Sequence, residues 1–138
     1  MTAMKQGIVC IGSNLFETLL AISQEEQARG LMHRSPPVPN MAFIYSYASV
    51  NRFWMANTPA PLDIIFCHQG KVAQICYGEP FSTRALGDHM SDLVVELPHG
   101  TALASEIKIG QSASLVAPTQ AQVLKIIAET NTFPLRAY

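Results

Sequence analysis

The hydrophobic pattern of this chain changes period at Ser23. Over residues 14–22, NLFETLLAI, the side chains of Phe16, Leu20 and Ile22 fall on one alternating face with Thr18 between them, which predicts a strand. Ser23 interrupts it. The stretch SQEE, 23–26, reads as a capping box: the Ser23 hydroxyl can accept from the amide of Glu26, whose carboxylate can reach back. Glu25 and Glu26 also stand where the positive end of a helix favours negative charge. Ala28, Leu31 and Met32 follow at helical spacing, so a short helix is predicted over 24–32. RSPPVPN, 34–40, ends it, because proline cannot continue a helix.

From there the pattern alternates. MAFIY (41–45), RFWMAN (52–57), LDIIFCH (62–68) and KVAQICY (71–77) each read as a strand. HQGK separates the last two and puts Gly70 where a tight turn needs positive φ, so 62–77 is predicted to be a β-hairpin. SDLVVELP (91–98) is a further strand, and 100–107 one helical turn with Thr101 as its candidate cap. SASLVA (112–117) and QVLKIIAE (122–129) complete the set; the tail TFPLRAY carries no clear period. Many short strands, close turn signals and one or two brief helices predict an all-β, antiparallel sandwich or barrel. A parallel nucleotide-binding sheet is disfavoured, since long alternating helices and a glycine-rich phosphate loop are both missing from the sequence.

The 138 residues fit one domain, 1–138. A chain of this length buries roughly two thirds of its unfolded surface and needs no metal or disulfide to fold. Charged residues make up only 14%, below the ~25% usual in soluble domains, which makes a homo-oligomer a reasonable expectation. The nine basic residues are spread from Lys5 to Arg136 against ten acidic ones, so no basic face for nucleic acid is predicted. No apolar run approaches the ~18 residues of a membrane helix, and no membrane association is expected. The start, MTAMKQGIVCIGSN, holds a short apolar run broken by Gly12, Ser13 and Asn14 without a convincing cleavage site; no signal peptide is read, and a cytoplasmic location is favoured. Cys10, Cys67 and Cys76 are odd in number and unpaired in spacing, and read as small buried hydrophobes in a reducing compartment.

Five segments in order, RGLMHR, MAFIY, FWMANTPAPLDIIF, VVELPHG and IKIG, resemble the uncharacterised family called domain of unknown function 192 (DUF192) over about residues 15 to 116. The pattern Trp-Met-x-Asn-Thr followed by Pro-Leu-Asp is its most specific part. The resemblance implies a small mainly-β sandwich and no established activity. It carries over to Gly30, Leu31, Met32 and Arg34; to Phe53, Trp54, Met55, Asn57, Thr58, Pro61, Leu62 and Asp63; to Glu96, Leu97, Pro98 and Gly100; and to Ile107, Ile109 and Gly110. This chain departs from many relatives in that no export signal is read in it, in having no cysteine in GEPFSTRALGDHM, and in placing Asn40 where glycine often stands.

The densest stretch for chemistry is FWMANTPAPLDIIF, 53–66. On an extended chain Phe53 and Met55 face one way, Trp54 and Ala56 the other. Asn57-Thr58-Pro59 starts a turn, and Asp63 enters an apolar run in which its carboxylate must be satisfied by amides, by a cation or by protonation. One reading is structural: Asp63 and Asn57 tie the 58–61 loop to the sheet. The other is a pocket for a small-molecule or carbohydrate-type ligand, with Trp54 as platform and Asn57, Thr58 and Asp63 as orienting groups. Arg34 either complements the helix dipole or grips a carboxylate from Glu96, from Asp63 or from a ligand; Glu96 either points to solvent or belongs to the site. An enzyme with Asp63 as general base and Arg34 or Asn57 stabilising an anion is the alternative, and a structural or self-associating protein without a ligand site is the third. Asp88, His89 and Asp92 lie close together, but no second histidine or cysteine falls at ligand spacing, so neither metal nor cofactor is expected. His33 is expected to be solvated or to cap a helix end, and His68 and His99 to be surface residues.

Overall fold

The computed structural model describes residues 4–117. Strands β1 (Lys5–Ile11) and β2 (Asn14–Ala21) are followed by helix α1 (Gln24–Arg29). Then come β3 (Met41–Val50), β4 (Leu62–His68), β5 (Lys71–Gly78) and β6 (Met90–Pro98), a single helical turn α2 (Thr101–Ala104), and β7 (Ala113–Ala117). All seven strands belong to one sheet in the order β5-β4-β6-β3-β2-β1-β7.

That sheet curls until its two edge strands meet. Lys71 of β5 bridges Ser112 beside β7, and Val72 N donates to Gln111 O at 2.9 Å while Ala113 N donates to Gly70 O at 2.8 Å. The barrel branch of the sequence reading is therefore the observed one. Alternation then sorts the side chains of each strand. Val9, Ile11, Leu20, Ala42, Ile65, Val95 and Leu97 fill the interior, and α2 closes one end of it with Ala102. Met41, Phe43, Leu62, Ile64, Phe66 and Val94 face outward, where Leu31, Met55 and Ala60 from the connecting segments cover them. The central strands β4 and β6 are thus buried on both faces, which is why LDIIFC and DLVVEL are nearly continuous apolar runs.

The capping box forms as read: Glu26 N donates to the Ser23 hydroxyl at 3.1 Å, and the amide of Ser23 donates to Glu26 Oε1 at 3.0 Å. The hairpin of residues 62–77 also forms, with Cys67 opposite Val72 and His68 opposite Lys71.

Several expectations need correction. Residues 5–11, read only as a broken apolar run, form β1; Gly12 at φ +59 makes the turn into β2. Helix α1 stops at Arg29 rather than at residue 32, because Gly30 takes φ +49 and ψ −130 and its amide closes the helix on Glu26 O at 2.9 Å. Residues 52–57 are not a strand of the sheet: Phe53 makes one isolated bridge with Leu86, and the segment lies across the outer face. The sheet is not wholly antiparallel, since β2 and β3 pair in parallel through Leu19–Met41, Leu20–Ala42 and Ala21–Phe43, with the α1 crossover between them. Helix α2 starts after Gly100, and Thr101 is its first residue rather than its cap. Cys67 is buried, but Cys10 and Cys76 are only partly so; all three are free. The strand expected at 122–129 lies outside the described residues.

Candidate functional site

The segment 51–60 is pinned to the outer face of the sheet by Phe53. The Phe53 ring meets Phe43 edge-on at a centroid distance of 4.7 Å and Phe66 at 5.6 Å, contacts worth ~0.5–1.5 kcal/mol each beyond burial. Phe53 N and O both bond Leu86, and Met55 N donates to Ser82 O at 2.9 Å. With Phe53 and Met55 turned inward, Trp54 between them turns out and stands 54% exposed.

Trp54 borders a cleft of about 190 Å³ between this segment and α1. Gln27, Arg29, Gly30 and Met32 line one side, Arg52, Phe53, Trp54 and Thr58 the other, and Phe43, Tyr45 and Glu96 come from the sheet. Glycine at position 30 keeps the cleft open: a Cβ there would stand 3.4 Å from Phe43 Cζ and 3.9 Å from Glu96 Oε1.

Glu96 is the chemically distinctive group. It sits on the central strand β6 opposite Met41 and Ile64, 4% exposed, and is not the solvated strand glutamate that one reading expected. Among the described residues no cation lies within ion-pair distance of its carboxyl and no hydrogen bond reaches it. Fully enclosed polar side-chain atoms without a partner are absent among the described residues, so its oxygens open onto the cleft. Burial alone pushes its carboxyl up to about 8. Tyr45, beside it on β3, is raised to about 12, first by burial and then by the charge Glu96 would carry.

Asp63 has a different place and a different task. It is 6% exposed and its carboxylate is fully engaged: Oδ2 accepts from the amides of Gly100 at 3.0 Å and Ala102 at 2.9 Å, and Oδ1 meets His99 Nδ1 at 2.8 Å. Backbone amides satisfy it, as the structural reading anticipated, but they belong to the start of α2 and not to the 58–61 loop. The carboxylate caps α2 from across the sheet, where neither Gly100 nor Thr101 does. His99 is half exposed with its ring 4.5 Å from that of Tyr77, so it is a bonded part of this corner and not a bare surface residue.

The structure therefore divides the six sequence candidates. Trp54, Thr58 and Glu96 share the cleft. Arg34 is exposed and lines a neighbouring cleft of about 480 Å³, divided from the first by Arg29 and Gly30; neither Glu96 nor Asp63 lies within ion-pair reach of it. Asn57 takes φ +56 at the turn, and its carbonyl accepts from His33 N at 2.7 Å. Asp63 lies on the other face of the sheet, so Trp54 and Asp63 do not form one pocket. Gly30, Tyr45, Arg29 and Arg52 were not singled out as site residues. The signal for Glu96 was available: a carboxylate inside DLVVEL cannot be solvated if both faces of that run are buried.

Elsewhere, His89 Nδ1 lies 2.7 Å from Asp88 Oδ1, while Asp92 accepts from the amide of Gln69 at 3.3 Å, which turns it toward the hairpin. No group of three or more metal-binding side chains is found among the described residues. No helix among them is long and apolar enough to cross a membrane.

The model of the protein family described as "Uncharacterized ACR, COG1430" (DUF192) matches residues 8–115. A crystal structure of a protein of unknown function from Novosphingobium aromaticivorans DSM 12444 is similar, at 28% identity and a TM-score of 0.77, over 83% of this chain and 88% of that one. A structure of a "putative transcription regulator" from Sinorhizobium meliloti 1021 shares the fold at 22% identity and a TM-score of 0.76, over 83% of this chain and 97% of the other. No curated protein matches.

Proposed function

This chain belongs to the DUF192 family, and from that premise we propose that it is a binding module for a small hydroxylated ligand of carbohydrate type, held in the cleft between α1 and Trp54. The observation that carries the reading is Glu96: a buried carboxyl with no protein partner among the described residues, opening onto a cleft with an exposed indole at its rim. A buried polar group without a partner is costly to maintain, and a ligand hydroxyl can satisfy it. With its carboxyl pushed up to about 8, Glu96 is mostly the neutral acid at pH 7 and can both donate to and accept from such hydroxyls. Trp54 supplies a flat apolar face, and Thr58, whose hydroxyl donates to Ala56 O at 3.1 Å and keeps its acceptor capacity, lines the same cleft. At about 190 Å³ the cleft is smaller than the ~300–1,000 Å³ that accommodates drug-sized molecules, so a monosaccharide-sized ligand is the scale that fits.

An enzyme using Asp63 as general base gains no support from the geometry, since both its oxygens are engaged by amides and His99.

The test follows the single tryptophan of the chain. Titrating the protein with neutral, amino and acidic monosaccharides is expected to give a saturable change in Trp54 emission for at least one of them, lost in Trp54→Ala calorimetry and weakened in Glu96→Ala. Flat emission and no heat across the whole panel would remove the reading.

A further inference from the structure

Two arginines border the cleft. Arg29 ends α1 on one side, and Arg52 enters the 51–60 segment on the other. Among the described residues, the only acidic one lining the cleft is Glu96. Arg29 shares its guanidinium with Glu25 through one contact of 3.3 Å, and both side chains are largely exposed, so the pair is weak and exchangeable. Arg52 spends one long bond, Nη1 to Gly87 O at 3.4 Å, and leaves the rest of its fork of donors uncommitted. Two arginines that line one cleft from different segments can supply the donors for a carboxylate, the anion whose geometry their paired donors match.

The geometry points to a more specific ligand, which rests on the binding role proposed above: the cleft takes a hydroxylated carboxylate of monosaccharide size, a sugar acid, with its carboxylate between Arg29 and Arg52 and its hydroxyls toward Glu96 and Thr58. Polarity along the cleft then matches the ligand, with cations at the mouth and a donor–acceptor group at the floor. The groups that face Glu96 are compatible with this. Tyr45 of β3 is a phenol held neutral, β4 presents only Ile64, and the remaining charges are Arg29 and Arg52 at the rim. In its neutral form Glu96 does not repel the incoming anion. Once ionised it would, so affinity for the anion is expected to fall as pH rises through about 8.

The experiment compares D-glucuronate, D-glucose and D-glucosamine by calorimetry on the full chain at pH 6.5 and 9. D-glucuronate is expected to bind at least about tenfold more tightly than D-glucose at the lower pH, to lose much of that advantage at high salt, and to weaken at pH 9. In the double variant Arg29→Gln, Arg52→Gln the preference is expected to collapse toward unity; both side chains are exposed, so the fold will survive the change. If D-glucose or D-glucosamine binds as tightly as D-glucuronate, or if the preference outlives the double variant, the sugar-acid assignment is wrong while the binding role stands. If none of the three sugars binds, both fall together.

Discussion

Asp63 and Glu96 lie on neighbouring central strands, one row apart in register, and point to opposite faces of the same sheet. Asp63 pairs with Leu97 and Ile64 with Glu96 across β4 and β6. The two carboxyl groups are both buried and share no partner. One is locked by two amides and a histidine; the other meets only apolar walls, a phenol and an open cleft. The first belongs to the fold and the second is available to a ligand.

Replacing Asp63 with Asn keeps the shape but weakens three acceptances, two of them charge-assisted bonds from amides. Stability is expected to fall by on the order of 1–3 kcal/mol in denaturant titration. Because Asp63 is on the far face, the emission of Trp54 in the folded variant is expected to stay unchanged. A shifted spectrum in native buffer would contradict the separation of the two sites.

Glu96 predicts a pH dependence of stability with a definite sign. Its folded value of about 8 stands above the 4.5 of an unfolded glutamate. Below pH 4.5 both states hold the proton and its titration adds nothing to the pH dependence. Between 4.5 and 8 the unfolded chain releases the proton and the folded chain keeps it, so stability declines as pH rises, by a few kcal/mol in all. Glu96→Gln is expected to flatten that slope, and midpoints of wild type and variant compared from pH 4 to 9 check it.

The capping box gives an exposed counterpart. Ser23→Ala is expected to cost about 1 kcal/mol in denaturant midpoint. The amides of Ser23 and Ile22 hold the Glu26 carboxyl below its ordinary value, so this contribution is present above pH 4.5 and fades as pH falls below it. An unaltered midpoint at pH 7 would show that the cap does not stabilise the chain.

Gly30→Ala tests the wall of the cleft. At φ +49 and ψ −130 an L side chain is strained, by on the order of 1–3 kcal/mol. The added methyl would also stand in contact with Phe43 and Glu96 and take up space in the cleft. The variant is expected to unfold at lower denaturant and, at a temperature where it is still folded, to bind sugar more weakly than wild type. Unchanged affinity would place the ligand elsewhere.

Local chemistry was the most legible part of the sequence. Ser23 and Glu26 announce the helix start because their interaction spans three residues, and Gly70 marks the hairpin because only the turn needs it. What required distant partners stayed hidden. The β1 strand contains Gly7 and is followed at once by Gly12, and its pairing with β2 and β7 is not local information. The parallel β2–β3 pair depends on a crossover that carries no signature of its own. FWMAN has a strand's alternation and buries Phe53 and Met55 accordingly, but it finds no ladder, so the period was right and the element wrong. For Asp63 the need for acceptor bonds was readable; the identity of the donors, residues 100 and 102, was not. For Glu96 both solvent and site were open readings, because alternation along one strand does not decide exposure when both faces of that strand are covered.

The meeting of Lys71 with Ser112 has a consequence for how this protein behaves in a crowded solution. A seven-stranded sheet left open would offer two rows of unpaired amides and carbonyls, each a template on which another chain could grow. Here the ends are stitched to each other, and β7 covers β1 along Ile8–Ile11. A variant that loosens this seam, such as Val72→Pro at the residue whose amide and carbonyl both bridge it, would keep its cleft yet lose one buried valine and gain a sticky border. Its first symptom would be aggregation on concentration or warming, well before any loss of affinity.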